Sequence, residues 1–314
     1  LLVAGPIERA THLLPQVQSP RRFSYGSAID GLKQILWGLV KKVVIADNCA
    51  QYANLIFTHP GDYHGSTLVV GAALFAFQIY GDFSGYSDIA LGTARLFGFE
   101  LLRNFAYPYF SRDIAEFWRR WHISLSSWFR DYLYYPLGGS RGTRWKTVRN
   151  TFIIFLVSGF WHGANWTFIV WGGLNALYFL PLLLAKKNRS NLDIVARGRI
   201  WPTPGEFLSM LVTFTLTVLA WIFFRADSVR DALFYLKRIF SRSLFTVPEI
   251  KPLSLFVLLV LFLVTEWLGR EQPYAIARVG GTWPRAARWT FYYALFFAIF
   301  WFAGSKQVFI YFQF

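Results

Sequence analysis

Residues 150–185 read NTFIIFLVSGFWHGANWTFIVWGGLNALYFLPLLLA, and this stretch contains no Asp, Glu, Lys or Arg. One helical crossing of a bilayer needs about 20 apolar residues, so the stretch is too long for a single upright span. The polar run SGFWHGANW at residues 158–166 interrupts it near the middle. The stretch therefore predicts a helix, a break and a second helix, within an all-α protein that crosses the membrane several times.

His162 lies in the break of this predicted hairpin. Non-helical backbone is tolerated at membrane depth only inside protein or beside a cavity. An ionisable side chain there is costly to bury in lipid and marks a functional site by default. This hypothesis predicts that the imidazole of His162 lies in a cavity lined by protein. The alternative is a structural imidazole at the level of the headgroups, hydrogen-bonded to Asn165 or to a backbone carbonyl.

The composition of the 314-residue chain is also typical of a membrane protein. Hydrophobic residues make up 55% of it and charged residues 16%, whereas about a quarter of an average soluble domain is charged. The net charge of +15 lies in basic blocks between apolar runs, so anionic lipid headgroups are the expected partner and nucleic acid is not. The single cysteine, Cys49, excludes an internal disulfide framework, and we expect it to fill a helical core.

The distribution of basic residues predicts an orientation. Residues 58–65 contain no Lys or Arg, whereas residues 103–149 contain nine of them against three acidic residues. By the positive-inside bias, the first segment faces outward and the second faces the cytoplasm. Apolar runs at 207–224, 253–268 and 289–304 predict further spans. An amphipathic helix is expected at 227–240, and the side of the membrane on which it lies stays open.

Asp82 and Asp88 lie in the apolar run at 67–99, together with two glycines between residues 80 and 88. The glycines predict a broken helix. The two carboxylates are six residues apart, so they can act as a pair only if the helix breaks. A structural interpretation, in which they pair with Arg95 or Arg103, is preferred over a role in substrate binding.

Residues 111–131 predict one amphipathic helix on the membrane surface. At 100° per residue, apolar side chains fill one arc of the helical wheel and arginines fill most of the other. His122 falls at the inner edge of the apolar arc, next to Trp118 and Phe129. We expect His122 to point toward the same cavity as His162. An interfacial histidine that contacts headgroups is the alternative.

Five short motifs occur along the chain: AGPIER at 4–9, DFSGYSD at 82–88, FWRRWHISLS at 117–126, YPLGG at 135–139 and GFWHG at 159–163. Together they resemble the membrane-bound O-acyltransferase family, and within it the branch of alginate O-acetylation membrane subunits. The resemblance runs from residue 1 to the aromatic tail at 306–314. The chain opens without an initiator Met, so we expect one membrane domain, 1–314, that lacks the natural N-terminal helices.

The resemblance implies a bundle of tilted and broken transmembrane helices around a central tunnel, with amphipathic helices at the interface. It implies that His162 is the catalytic histidine and that His122 occupies a second family position. An acyl thioester, such as acetyl-CoA, would arrive from the cytoplasm and a hydroxyl acceptor from the other side. A polysaccharide such as alginate, periplasmic acetyltransferase partner proteins and the bacterial inner membrane are implied as acceptor, partners and location.

Acyl transfer to a hydroxyl requires a base and donors for the oxyanion. A neutral imidazole, with an unperturbed pKa of about 6.5, can take the hydroxyl proton near neutral pH, which suits His162. His122 could orient the donor or stabilise the oxyanion. No bound cofactor and no metal are expected, because no third ligand at metal spacing accompanies the two histidines. The candidate substrate-binding residues are Asn165, Trp166, Asp82, Asp88, Trp118 and Trp161.

Two alternative functions stay open. A transporter or flippase for a lipid-linked sugar would also have broken helices and intramembrane polar residues, although the sequence shows no inverted repeat. D-alanyl transfer to teichoic acid is the activity of a close cousin in the same family. The basic residues at 112–149 could bind the phosphates of coenzyme A, an acidic carrier protein or lipid headgroups.

Overall fold

The computed structural model describes residues 5–304, and the regular structure in that range is helical, as predicted. The aromatic tail at 306–314 and Ala4 of the first motif lie outside the described residues. The α-helices are α1 Ala10–Gln18, α2 Tyr25–Leu39, α3 Asp47–Thr58, α4 Gly65–Leu96, α5 Ile114–Arg120, α6 Ile123–Phe129, α7 Arg144–His162, α8 Trp166–Leu184, α9 Pro204–Arg225, α10 Val229–Ile239, α11 Leu253–Leu268 and α12 Arg285–Trp301. A π-helical segment, Val40–Ala46, follows α2 directly.

Three helices of the described chain, α4, α8 and α9, are long and apolar enough to cross a membrane, and α11 is apolar but shorter. The apolar runs expected at 207–224, 253–268 and 289–304 are helical, as α9, α11 and α12, but of these only α9 is long and apolar enough to span. The amphipathic helix expected after the first of these runs is α10. Cys49 is fully buried in α3, as expected for a residue that fills a core.

The described chain forms two compact units. One, the lysine unit, contains residues 5–51, 77–107 and 252–304, and the other, the histidine unit, contains 52–76 and 108–251. The helix α4 therefore contributes its start to the histidine unit and its remainder to the lysine unit. The single domain expected over 1–314 and the central tunnel stay predictions.

The helix α4 is one continuous helix of 32 residues, so the break predicted between residues 80 and 88 is wrong. The glycines of this run allow close packing instead. A Cβ atom on Gly81 would lie 2.9 Å from the carbonyl oxygen of Lys41, and one on Gly85 would lie 2.7 Å from that of Gly38. Any side chain at these two positions would therefore push α4 away from α2 and the π-helical segment.

The carboxylates of the same run are paired with lysines, not with the two arginines expected. Lys41 Nζ lies 3.0 Å from Asp88 Oδ2, and Lys42 Nζ lies 2.7 Å from Asp82 Oδ1. The lysines follow one another in the π-helical segment, which packs directly against the glycine face of α4. Arg95 instead binds Asp30. The structural interpretation of the two carboxylates is supported, but the predicted partners were wrong.

Lys41 also binds a second buried carboxylate, that of Glu266 in α11. Its Nζ lies 3.2 Å from Glu266 Oε1. Tyr80 Oη donates a hydrogen bond to Glu266 Oε2 at 2.5 Å, and Gln34 Nε2 donates one to Asp88 Oδ1 at 2.7 Å. Buried charges are tolerated when they are paired and their remaining lone pairs are hydrogen-bonded. The cluster therefore links α2, α4 and α11 through polar contacts.

The helices α7 and α8 form the predicted hairpin, with its break at residues 163–165. The two helices pack with almost no side chain between them at two glycines. A Cβ atom on Gly159 would lie 2.3 Å from the carbonyl oxygen of Phe168, and one on Gly172 would lie 2.3 Å from that of Phe155. The polar break therefore allows the chain to turn, and the glycines on either side of it allow the two helices to pack closely.

The single surface helix expected at 111–131 is wrong. The helix α5 ends at Arg120, and α6 begins at Ile123. Between them, His122 has a left-handed backbone with φ 44° and ψ 54°, which a right-handed helix cannot include. The helical wheel assumes one continuous helix. No Gly or Pro near His122 indicates in the sequence that the helix is interrupted there.

Arginines at the start and the end of the α5 segment bind protein groups. Glu116 is 1% exposed and accepts hydrogen bonds from both Arg112 and Arg120. Arg112 Nη2 also donates to the backbone carbonyl and the carboxylate of Asp193, each at 2.9 Å. Asp193 lies in the connection between α8 and α9, and the hydrogen bond from Arg112 lowers the pKa of its carboxyl. These two arginines therefore fix a loop and are not directed at headgroups.

Candidate functional site

The structure brings His122 and His162 together in the histidine unit. His122 immediately precedes α6 and is 4% exposed, whereas His162 ends α7 and is half-buried. The indole of Trp161 contacts both imidazoles, with centroid distances of 6.5 Å to His122 and 5.0 Å to His162. The two imidazole centroids are therefore at most 11.5 Å apart, the sum of those two distances.

Aromatic rings from α8 and α9 surround the imidazole of His162. The ring of Trp171 lies perpendicular to it at 5.3 Å, and that of Phe224 lies at 5.1 Å. Phe168 is a further neighbour at 6.3 Å. Aromatic pairs prefer such edge-to-face geometry, so these rings hold the plane of the imidazole. They also reduce the space for water on these sides of the ring.

A hydrogen-bonded connection links α5 to the helix that carries Trp171. Trp118 Nε1, on α5, donates to Asn175 Oδ1 at 3.2 Å, and Asn175 Nδ2 donates to the carbonyl oxygen of Trp171 at 2.8 Å. The ring of Trp118 also packs edge-to-face on Trp171, with centroids 5.6 Å apart. The segment before His122 and the wall beside His162 are therefore in direct contact.

Asn165 and Trp166, two of the predicted substrate-binding residues, begin α8. The side chain of Asn165 accepts from the backbone N–H of Thr167 at 3.1 Å and donates to the carbonyl oxygen of Asp227 at 2.9 Å. Asn165 is therefore the N-cap of α8, a position where Asn is strongly preferred. Trp166 is 75% exposed. A role for either residue toward substrate stays a prediction.

The remaining candidates divide between the two units. Trp118 and Trp161 contact the wall or the imidazoles of the histidine pair. Asp82 and Asp88 belong to the lysine unit, where their partners are Lys42 and Lys41. The structure thus gives the two carboxylates charge partners of their own, and their binding of substrate stays a prediction.

Trp171, Phe224 and Asn175 were missed by sequence reasoning. Trp171 and Asn175 lie in the uncharged run, and folding that run at its break places α8 alongside the end of α7. The predicted hairpin could therefore have indicated that Trp171 lies beside His162. Phe224 lies on α9, 62 positions after His162, and no local pattern connects the two. Its position depends on the packing of α9.

Two imidazoles in aromatic surroundings can provide both functions that acyl transfer needs. A neutral imidazole accepts a proton at one nitrogen and donates a hydrogen bond from the other. One ring can therefore take a proton while its neighbour stabilises negative charge. Between residues 5 and 304, no group of three or more His, Cys, Asp or Glu side chains is placed to hold a metal ion.

Comparison with known proteins identifies the family. A family model described as the membrane-bound O-acyltransferase family matches residues 1–224. The chain is 37% identical over 278 residues to "Probable alginate O-acetylase AlgI" of Pseudomonas aeruginosa. The aligned region covers 87% of this chain and 51% of that protein. It is 40% identical over 238 residues to the peptidoglycan O-acetyltransferase of Helicobacter pylori, covering 75% and 44%.

A teichoic acid D-alanyltransferase of Streptococcus thermophilus is 31% identical over 244 residues, covering 70% of this chain and 58% of that protein. The chain belongs to the membrane-bound O-acyltransferase family, as the motifs predicted. It is accordingly part of a membrane protein. The chain spans about half the length of the curated relatives it matches.

Proposed function

We propose that this chain is the catalytic part of a membrane O-acetyltransferase that acetylates hydroxyl groups of an extracytoplasmic polysaccharide. The observation that carries this proposal is the contact of Trp161 with both His122 and His162, in a chain of this family. Relatives named for alginate O-acetylation and for peptidoglycan O-acetylation support a polysaccharide as the acceptor.

In the proposed reaction, the neutral imidazole of His162 takes the proton of the acceptor hydroxyl while the hydroxyl oxygen bonds to the thioester carbonyl carbon. An N–H of His122 donates to the oxyanion of the resulting tetrahedral intermediate. Collapse of the intermediate breaks the carbon–sulfur bond, and the leaving thiolate takes the proton back from His162. The products are one ester and one thiol, so the base is regenerated.

The aromatic wall formed by Trp171, Phe168 and Phe224 has a role in the same proposal. A thioester is open to attack by water as well as by the acceptor hydroxyl. Exclusion of water from the site limits this side reaction and strengthens the electrostatic interactions inside it. A wall of rings on one side of His162 also restricts the direction from which the hydroxyl can approach.

The acyl donor is proposed to be acetyl-CoA or another acyl thioester that arrives from the cytoplasm. Arg112 and Arg120 bind Glu116 and the α8–α9 connection. The exposed basic residues of the block at 112–149 are Arg130, Arg141, Arg144, Lys146 and Arg149. Arg130 is paired with Asp131, and the other four are proposed to bind the donor phosphates. Periplasmic acetyltransferase partners and a location in the bacterial inner membrane complete the proposal.

D-alanyl transfer to teichoic acid is the second candidate, because a relative with that name is 31% identical over 244 residues. The same pair of imidazoles would serve it, since the bond formed is also an ester from a thioester. The two candidates differ in the group found on the polymer, acetate or D-alanine. Quantifying both groups in cells with and without the full-length protein distinguishes them.

The test of the chemistry uses His162→Ala and His122→Ala in the full-length protein, with polymer-bound acetate measured at matched membrane abundance. Loss of a general base costs about 10²–10⁴-fold, so we expect acetate to fall to background with His162→Ala. His59→Ala is the matched control, because His59 is an exposed histidine outside the site. Near-normal acetate with His162→Ala would refute the base assignment and favour the transporter alternative.

A further inference from the structure

We propose that Asn175 is a positioning residue, which holds the segment before His122 in a fixed relation to the aromatic wall beside His162. The proposal rests on the proposed function, because the two histidines are its reacting groups. Asn175 itself need not contact substrate. Its effect passes through Trp118 on α5 and Trp171 on α8, each of which it binds directly.

Asn175 is 2% exposed, on a helix that is apolar enough to span a membrane. A buried amide costs free energy unless its donors and acceptors are satisfied, and an apolar side chain at this position would avoid that cost. Here the amide oxygen accepts from the indole of Trp118 at 3.2 Å, and the amide nitrogen donates to the Trp171 carbonyl at 2.8 Å. The amide oxygen and the amide nitrogen each make a hydrogen bond, and the bond to the oxygen comes from a different helix, α5.

The contact fixes an orientation as well as a distance. Donation to Asn175 sets the rotation of the Trp118 indole, whose ring meets Trp171 at 5.6 Å and an interplanar angle of 73°. Trp171 in turn meets the imidazole of His162 at 5.3 Å and 90°. A side chain of equal volume without the amide would fill the space but would not select this rotation.

The same hydrogen bond acts on the other histidine through the backbone. Trp118 lies one turn before His122, whose left-handed conformation is strained for a residue with a side chain. Such a conformation persists only where the surrounding structure imposes it. Anchoring α5 to α8 at Trp118 is one of the contacts that hold the chain directly before this strained residue.

The principal test is a double-mutant cycle in the purified full-length protein, with Asn175→Leu, Trp118→Phe and the double variant. We expect each single variant to lower kcat by about 10- to 100-fold, because displacements near 1 Å have effects of that size. For Asn175→Leu, KM for the acyl donor should stay within about twofold of wild type, since Asn175 is proposed to position and not to bind substrate. The double variant should be no slower than the slower single variant, because both changes remove one hydrogen bond.

A matched control separates positioning from general stability. Thr217 is a buried polar residue on another span, α9, and its hydroxyl donates to a backbone carbonyl one turn earlier. Thr217→Val therefore removes an internal hydrogen bond of α9 and leaves the hydrogen bond between α5 and α8 intact, so its kcat should match wild type. Trp118→Phe keeps an aromatic ring in place, so it tests the hydrogen bond even if Asn175→Leu does not fold.

A second measurement does not depend on catalysis. The substitutions His122→Cys and His162→Cys, in a background without other cysteines, supply two thiols that a short bifunctional reagent can join. We expect Asn175→Leu and Trp118→Phe each to change the rate of this cross-linking at least severalfold. Unchanged cross-linking, or independent effects of the two substitutions on kcat, would overturn the proposal. A failure of the proposed function is recognised separately, by acetylation that survives His162→Ala.

Discussion

Replacing Lys41 with Met should destabilise the lysine unit strongly. Lys41 is 4% exposed, and its ammonium lies 3.0 Å from a carboxylate oxygen of Asp88 and 3.2 Å from one of Glu266. The substitution keeps the length of the side chain but leaves two buried carboxylates without this cation. Breaking a buried ion pair by removing one partner costs about 3–5 kcal/mol. That is a large part of the 5–15 kcal/mol or so that stabilises a typical domain.

The assay is the melting temperature of the purified protein in detergent, together with the amount of folded protein recovered from membranes. At about 2–4 °C per kcal/mol, Lys41→Met should lower the melting temperature by roughly 10 °C. The double variant Lys41→Met/Glu266→Gln removes one charge of each sign and should recover part of this loss. Lys187→Met changes an exposed lysine and should have almost no effect.

The outcome decides between two interpretations of Asp88. If Lys41→Met and Lys187→Met had the same melting temperature, the reasoning would be refuted, because the cluster would then contribute little to the stability of the fold. If that same stable variant had also lost acetylation, the carboxylate of Asp88 would return as a candidate for contact with substrate. Partial recovery by Glu266→Gln, in contrast, is expected only if uncompensated charge causes the loss.

Three further predictions concern the histidine unit. Gly172→Ala should destabilise it by about 1–3 kcal/mol by overpacking, because the new Cβ would meet a carbonyl oxygen at 2.3 Å, whereas for Gly173→Ala the nearest atom is a side-chain carbon at 3.8 Å; equal melting temperatures would contradict this. Glu116→Gln should lower the melting temperature by several degrees, since it removes the negative charge that pairs with both Arg112 and Arg120. An unchanged melting temperature would refute this prediction. The carboxyl of Asp193 has a lowered pKa, so its contribution is present above the unfolded value of about 3.9 and is lost as pH falls below it. Proteolysis of the α8–α9 connection should therefore rise in that acid range, and Asp193→Asn should show the raised rate already at neutral pH.

The hairpin around His162 could be predicted from sequence because its evidence is local. An uncharged run that is too long for one span, with a polar knot in its middle, permits few arrangements in a bilayer. The order of the family motifs then supported the same residue. The N-cap role of Asn165 was missed, although Asn directly before an apolar helix is a common capping signal. The side chain of Asn165 caps α8, and its contact with substrate stays a prediction.

The glycines of α4 show why other features could not be predicted. A glycine pair in an apolar run is compatible with a break and equally with close packing of two helices. The difference depends on what lies opposite, here the carbonyl oxygens of Lys41 and Gly38. Those partners are more than 30 positions away in the sequence. The same holds for Glu266, whose pairing with Lys41 needs the packing of α11.

The position of the histidine pair shows that the basic block at 103–149 extends over a long distance in the structure. The helix α7 has 19 residues and rises roughly 27 Å from Arg144 to His162 at 1.5 Å per residue. His122 lies within 11.5 Å of His162, at the far end of that helix, although both His122 and Arg144 belong to the block assigned to the cytoplasm by its charge. The block therefore extends from the histidine pair to the opposite end of α7. Residues 123–143 therefore cover most of the length of α7, and the exposed Arg141, Arg144 and Lys146 lie near the end of α7 opposite His162. The proposed phosphate site at these residues and the histidine pair are thus at opposite ends of α7, so the proposed reaction needs a donor long enough to reach from one end to the other.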